Sequence, residues 1–170
     1  MKIGLIADTH IPQAGKELTH HVAEAFEDVD LILHAGDLIV LSVLDWLEKI
    51  APVVAVRGNG DARAPDDPRI HECRVITAAE KRIGMRHCIE FPSEPEWNNL
   101  GDFMERRFEG PVDVILFGDT HVAFNEIHHG VLLINPGSPS FPRDLVGCLG
   151  TVGVLDITNS GIEARIVTLR

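Results

Sequence analysis

A short apolar run that ends on a polar triplet places the strongest limit on what this chain can fold into. Ile3, Leu5, Ile6 and Ala7 lack helical spacing, and Asp8-Thr9-His10 follows them directly. A run of that length reads as a buried strand, with the chain leaving the core where the polar triplet begins. Asp8 and His10, two apart, can then turn toward one point, where a carboxylate oxygen and an imidazole nitrogen suit a divalent metal. One such triplet means little alone; its weight comes from recurrence.

Leu31 to His34 is a second apolar strand and ends in Ala35-Gly36-Asp37. Val53 to Val56 is a third, running into Arg57-Gly58-Asn59-Gly60-Asp61. Between them, Glu17 to Asp28 (Leu18, Val22, Ala25, Phe26) and about Leu41 to Lys49 (Val43, Leu44, Leu47, Ile50) carry apolar residues at helical spacing. Strand-helix-strand units predict parallel strands with right-handed crossovers, and ligands gather at the carboxyl ends of such strands. Asp8, His10, Asp37 and Asn59 are thereby predicted to share one sheet edge. His20 and His21, on the first helix, are read as surface or packing residues.

Ala64 to Pro68 reads as loop. Glu72 to Thr77 and Arg82 to His87 read as a hairpin turning at Ala78 to Lys81 and ending in His87-Cys88, with Cys88 taken as a small buried residue. Ser93 and Glu96 are spaced as a capping box for a helix whose buried face is Trp97, Leu100, Met104 and Phe108. Val112 to Phe117 is another buried strand, and its ending, Gly118-Asp119-Thr120-His121, repeats the first motif. Ala123 to His128, Val131 to Ile134, Thr151 to Ile157 and Ile162 to Leu169 follow without an intervening helix, so this half is predicted to be antiparallel. Arg57, Arg63 and Arg143 are candidates for reaching a phosphate from loops near the edge.

At 170 residues, a single domain over 1–170 is expected. The 15 basic and 26 acidic residues give a net charge of −11, which argues against nucleic acid and anionic membranes as partners. It leaves room for a small phosphate ester drawn in by a bound cation. Three cysteines without C-x-x-C spacing suggest a reducing compartment, and no leader-like or membrane-length apolar run is present, so a cytoplasmic location is expected. The oligomeric state stays open, a homo-oligomer included.

The ordered set Asp-x-His, Gly-Asp, Gly-Asn, His and Gly-x-x-His, with Asn135-Pro136-Gly137-Ser138 after it, resembles the calcineurin-like metallophosphoesterases, in particular their small bacterial and archaeal phosphodiesterase branch. The resemblance spans nearly the whole chain. It implies an α/β fold, a four-layer α/β/β/α sandwich of two mixed sheets flanked by helices, with a dinuclear metal centre at one end. It further implies Asp8, His10 and His121 on one metal, Asn59, His87 and Asp119 on the other, and Asp37 bridging. The implied reaction is hydrolysis of a phosphate ester, a diester before a monoester, by a hydroxide shared between two divalent ions, with Asn59 and His87 stabilising the charge that develops.

Three departures from the family pattern matter. Asp119 stands where the family has histidine, adding a third carboxylate, so that Mn2+ is expected over Fe, Zn, Ni or Co. Cys88 stands where glycine is usual. Gly60 follows Asn59 where related phosphatases place a proton-donating histidine, which leaves His34 as the first suspect for that role. The alternative implied by the same resemblance is a scaffold with a weakened metal site that binds protein partners.

Overall fold

The computed structural model describes residues 1–63, 65–89 and 99–170. The first three apolar runs form β1 (Lys2–Ile6), β2 (Leu31–His34) and β3 (Val53–Val56), joined by α1 (His20–Ala25) and α2 (Ser42–Leu47). The three strands are parallel, with β4 (Ile70–His71) added beyond β3. The chain closes this sheet from the other side with β10 (Thr151–Thr158) antiparallel to β1 and β11 (Gly161–Thr168) antiparallel to β10. Its order is β11-β10-β1-β2-β3-β4.

The second sheet has the order β5-β6-β7-β9-β8, from β5 (Arg74–Ala78), β6 (Lys81–Met85), β7 (Val114–Leu116), β8 (Phe124–His128) and β9 (Val131–Asn135). The expected hairpin of β5 and β6 is present, turning through Ala79 and Glu80, both at positive φ. The expectation of an antiparallel second half needs correction. The β8–β9 and β10–β11 pairs are antiparallel, but β9 inserts between β7 and β8 and so runs parallel to β7, as β6 does.

Burial sorts the sequence into layers. Ile3, Leu5, Leu33 and Val56 from one sheet meet Met85, Val114, Leu116 and Ile134 from the other to form the central core. Ile6, Ile32 and Ala55 face outward, where Val22, Phe26, Leu44 and Leu47 of the α1 and α2 region cover them. Leu100, Phe103, Met104 and Phe108 of α3 (Leu100–Phe108) cover Ile115 and Leu133 on the opposite outer face. The architecture is therefore two mixed sheets flanked by helices, of the α/β class, as the motif set implied. Helix α3 begins at Asn99, whose side chain accepts the Asp102 N–H; the capping box at Ser93 and Glu96 and the contribution of Trp97 lie outside the described residues. No helix among the described residues is long and apolar enough to cross a membrane.

Candidate metal centre

Parallel pairing brings the carboxyl ends of β1, β2 and β3 to one edge, and the loop after β7 reaches the same place. The backbone reverses sharply there. Asp8, His10, Asp37, Asp119 and His121 all have φ between 47° and 72°, the left-handed region that ordinary residues avoid. Close approach does the rest. A Cβ on Gly58 would stand 2.0 Å from Asp37 Oδ1, and one on Gly36 2.6 Å from His87 Nδ1. Only glycine allows these strand ends to come together.

Asp8, His10, Asp37 and His121 each offer one donor atom, and these four atoms all lie within 4.8 Å of one another. His10 Nε2 lies 3.1 Å from His121 Nε2 and 3.2 Å from Asp37 Oδ2. Two ligands about 2.1 Å from one ion stand about 3.0 Å apart at a right angle and about 3.4 Å apart at the tetrahedral angle. The imidazole pair has that spacing. A second group adjoins the first: His87 Nε2 is 2.8 Å from Asn59 Oδ1, 3.5 Å from Asp37 Oδ1 and 3.6 Å from Asp119 Oδ1. Asp37 thus turns one oxygen to each group. Asp8 Oδ1 also lies between them, 3.7 Å from His121 Nε2 and 3.9 Å from His87 Nε2.

The donor chemistry fits divalent cations. Nδ1 of His87 donates to the Ala35 carbonyl at 2.7 Å, so Nε2 presents a lone pair to the site. Asn59 Oδ1 stands 2.8 Å from that nitrogen, where either a second proton on the ring or a cation shared by the two atoms satisfies both. Asp8 Oδ2 is buried without a hydrogen-bond partner. Burial pushes the Asp8 carboxyl up to about 8, against the pull of the Asp119 N–H. A buried carboxylate of this kind needs a positive partner. Asp37 behaves differently: burial opposes its charge, but His10, His87 and the Gly60 N–H at 2.7 Å outweigh that and hold its pKa below the usual value. His10 is raised, its burial outweighed by Asp37, while His121 is lowered by burial and by His10.

Several residues to which the sequence assigned no role build the site. Asp61 is fully buried and accepts the backbone N–H groups of Asp37, Ile39 and Gly58 at 2.9, 2.7 and 2.8 Å. Asn135 donates to Gly118 O and Thr120 Oγ1, Ser138 Oγ donates to Asp8 O, and Ser140 Oγ donates to Thr9 O. Phe141 packs against the rings of both His10 and His121.

Two expectations are corrected. His34 is no proton donor to the site: it is fully buried, burial pulls its pKa down to about 3, and both ring nitrogens are used, Nδ1 by the Gly36 N–H and Nε2 by Thr9 Oγ1. Cys88 is exposed rather than buried, with Sγ 3.6 Å from Asp119 Oδ2. Of the candidate arginines, Arg57 lines a cavity of about 570 Å3 beside Asn59, His87 and Asp119, together with Arg86. It donates to Asp61 O and pairs with Glu72. Arg143 is exposed and contributes its backbone N–H to His121 O, and the Arg63 side chain lies outside the described residues.

A two-sheet α/β sandwich with clustered Asp, His and Asn at its strand ends defines a metal-binding phosphoesterase fold. The chain belongs to the calcineurin-like phosphoesterase superfamily, whose domain profile matches residues 1–160. It is 40% identical to a probable metallophosphoesterase of Methanothermobacter thermautotrophicus, over 98% of this chain and 92% of that protein. A structure described as that of a novel archaeal phosphodiesterase superposes with a TM-score of 0.71 at 26% identity, covering 99% of this chain and 100% of that one. Vps29 of Entamoeba histolytica, solved in complex with Zn2+, shares the fold at a TM-score of 0.72 and 18% identity, with both chains covered in full.

Proposed function

We propose that the chain is a metal-dependent hydrolase of phosphate diesters. In this reading Asp8, His10 and His121 hold one divalent ion, Asn59, His87 and Asp119 a second, and Asp37 joins them. The position of Asp37 carries it, because its two oxygens face two separate sets of donors. Bound divalent ions would supply Lewis-acid charge to phosphoryl oxygens and acidify water at neutral pH.

The chain's own groups do the positioning. His87, with Nδ1 committed to Ala35, keeps a fixed ring orientation, and Asn59 brings a neutral oxygen to the site without adding negative charge. With Asp8, Asp37 and Asp119 ionised, three carboxylates leave two divalent ions about one net positive charge, which favours a hard ion such as Mn2+. Arg57 and Arg86 on the cavity wall face an incoming phosphate.

No imidazole follows Asn59. The Gly60 N–H is given to Asp37, and a Cβ there would meet Ile39 Cδ1 at 2.7 Å. Leaving groups therefore depart without a dedicated acid, so activated aryl esters are cleaved far faster than alkyl esters. The scaffold alternative is disfavoured by the completeness of the donor set.

Metal analysis of protein prepared without chelator, paired with rates on nitrophenyl mono- and diesters in Mn2+, tests the reading. Two equivalents of metal and faster diester cleavage are expected. Metal-loaded protein that leaves every activated ester intact would refute it and favour the scaffold.

A further inference from the structure

Histidines 20 and 21 take no part in the centre at the sheet edge, yet α1 draws them together with Glu24. The three offer donor atoms within 4.8 Å of one another. The juxtaposition follows from the helix, since His20 and Glu24 are four apart and His21 and Glu24 three apart, the spacings that share a face. His21 Nδ1 already stands 3.3 Å from Glu24 Oε2, and the two imidazole rings lie 4.0 Å apart between centroids.

Two further features point the same way. His20 and His21, though not Glu24, line a cavity of about 460 Å3 whose other walls include Trp46 of α2 and Leu149, so an ion held by the two rings keeps room for water ligands on that side. Thr19 lines the same cavity, and its buried hydroxyl oxygen has no hydrogen-bond partner. Helix α1 also lacks the usual local supports: Thr19 makes no side-chain cap, the first turn has no acidic residue and the last no basic one. A six-residue helix is too short to be stable by itself, and a metal bridging successive turns would hold it.

We propose that His20, His21 and Glu24 form a separate site for one late transition-metal ion, Zn2+, Ni2+, Cu2+ or Co2+. With a single carboxylate and no shared one, this set is poorer in oxygen donors than the strand-edge centre, where three carboxylates and Asn59 serve two ions, so it favours that class over Mg2+, Ca2+ and Mn2+. The site is independent of the hydrolase reading and stands if that reading fails.

Equilibrium dialysis against Ni2+ with metal analysis tests it, comparing the wild type with a His20→Ala/Glu24→Gln double variant. The wild type should retain one equivalent more, while both bind the same number of Mn2+ ions and hydrolyse esters equally. Cu2+ should quench Trp46 fluorescence in the wild type and lose that effect in the double variant. Trp46→Phe should abolish the quench but keep the extra Ni2+ equivalent. The single Glu24→Gln change, on an exposed carboxylate, guards against misfolding of the double variant and should weaken this Ni2+ site about tenfold. Equal Ni2+ equivalents in wild type and double variant, or unchanged Ni2+ affinity in Glu24→Gln, would overturn the proposal.

Discussion

The two halves of the candidate centre are braced in opposite ways. Around Asp8, His10 and His121, support is spread over neutral groups, with Ser138, Ser140 and Asn135 each contributing hydrogen bonds to the backbone or a hydroxyl and Phe141 packing on both imidazoles. Around Asn59 and His87, one buried carboxylate, Asp61, gathers three backbone N–H groups from two loops. The His10 and His121 side chains of the first half are 12% and 9% exposed; in the second half Asp119 is 38% exposed, and Asn59, His87 and Asp119 line the cavity walled by Arg57 and Arg86. Distributed support tolerates the loss of any one member, whereas a single hub does not. The half that would meet substrate is therefore the half with the more fragile frame.

The largest effect is expected at Asp37, which belongs to both halves. Asp37→Ala should lower kcat/KM by at least about 10³-fold, because charge stabilisation by both ions is lost together. Metal analysis should show both equivalents weakened. If one ion remained at full affinity, Asp37 would belong to a single half.

Next comes the contrast in bracing. Asp61→Ala leaves three N–H groups without an acceptor in a buried place and should cost about 3 kcal/mol or more in denaturant unfolding. Ser140→Ala, which removes one donor to the Thr9 carbonyl, should cost about 1 kcal/mol, and Ser138→Ala, which also takes away the acceptor of the Phe141 N–H, about 2 kcal/mol. Equal losses at Asp61 and Ser140 would erase the distinction.

His34 ties the halves together, bonding the Gly36 N–H on one side and Thr9 on the other. Its folded pKa of about 3 lies below the usual imidazole value, so the unfolded chain binds the proton more readily. Stability is full above about pH 6.5 and falls as pH drops from there toward 3, by up to about 1.4 kcal/mol per pH unit. Urea unfolding of the wild type and His34→Gln between pH 7 and 4.5 should show a flatter profile for the variant.

The smallest effect is expected at Asp119, on the open rim of the second half. Asp119→His should shift preference from Mn2+ toward Zn2+ by about tenfold, with little change in stability. Competition dialysis reads that ratio, and an unchanged ratio would place Asp119 outside the ligand set.

Strand positions and the convergence of seven polar side chains were legible because both leave a pattern along the chain. β2 and β3 match the apolar runs residue for residue, and the seven expected donors meet at one edge. Asn135 and Ser138 stood out only as part of the Asn135-Pro136-Gly137-Ser138 motif, without a role, and Asp61 and Ser140 not at all, because these residues act on backbone groups and that task imposes no spacing. Asp61 stands two residues after Asn59 in a polar turn, where an acidic residue is ordinary. The parallel placement of β9 beside β7 was equally hidden, since two adjacent strands joined by a turn do not reveal which of them lies inside the sheet. His34 looked available by its position at a strand end, but its burial is set by Thr9 and Gly36 closing over it.

The left-handed turns at Asp8, His10, Asp37, Asp119 and His121 restrict which amino acids can occupy those positions. Apart from glycine, asparagine, aspartate and histidine are the residues that best accept such a conformation, and all three carry lone pairs suited to metals. Chain reversal and coordination chemistry thus draw on one short alphabet. Glutamate, glutamine or lysine at any of these corners would strain the main chain whatever it did to the donor set, so the shape of the turns itself limits which side chains can stand there.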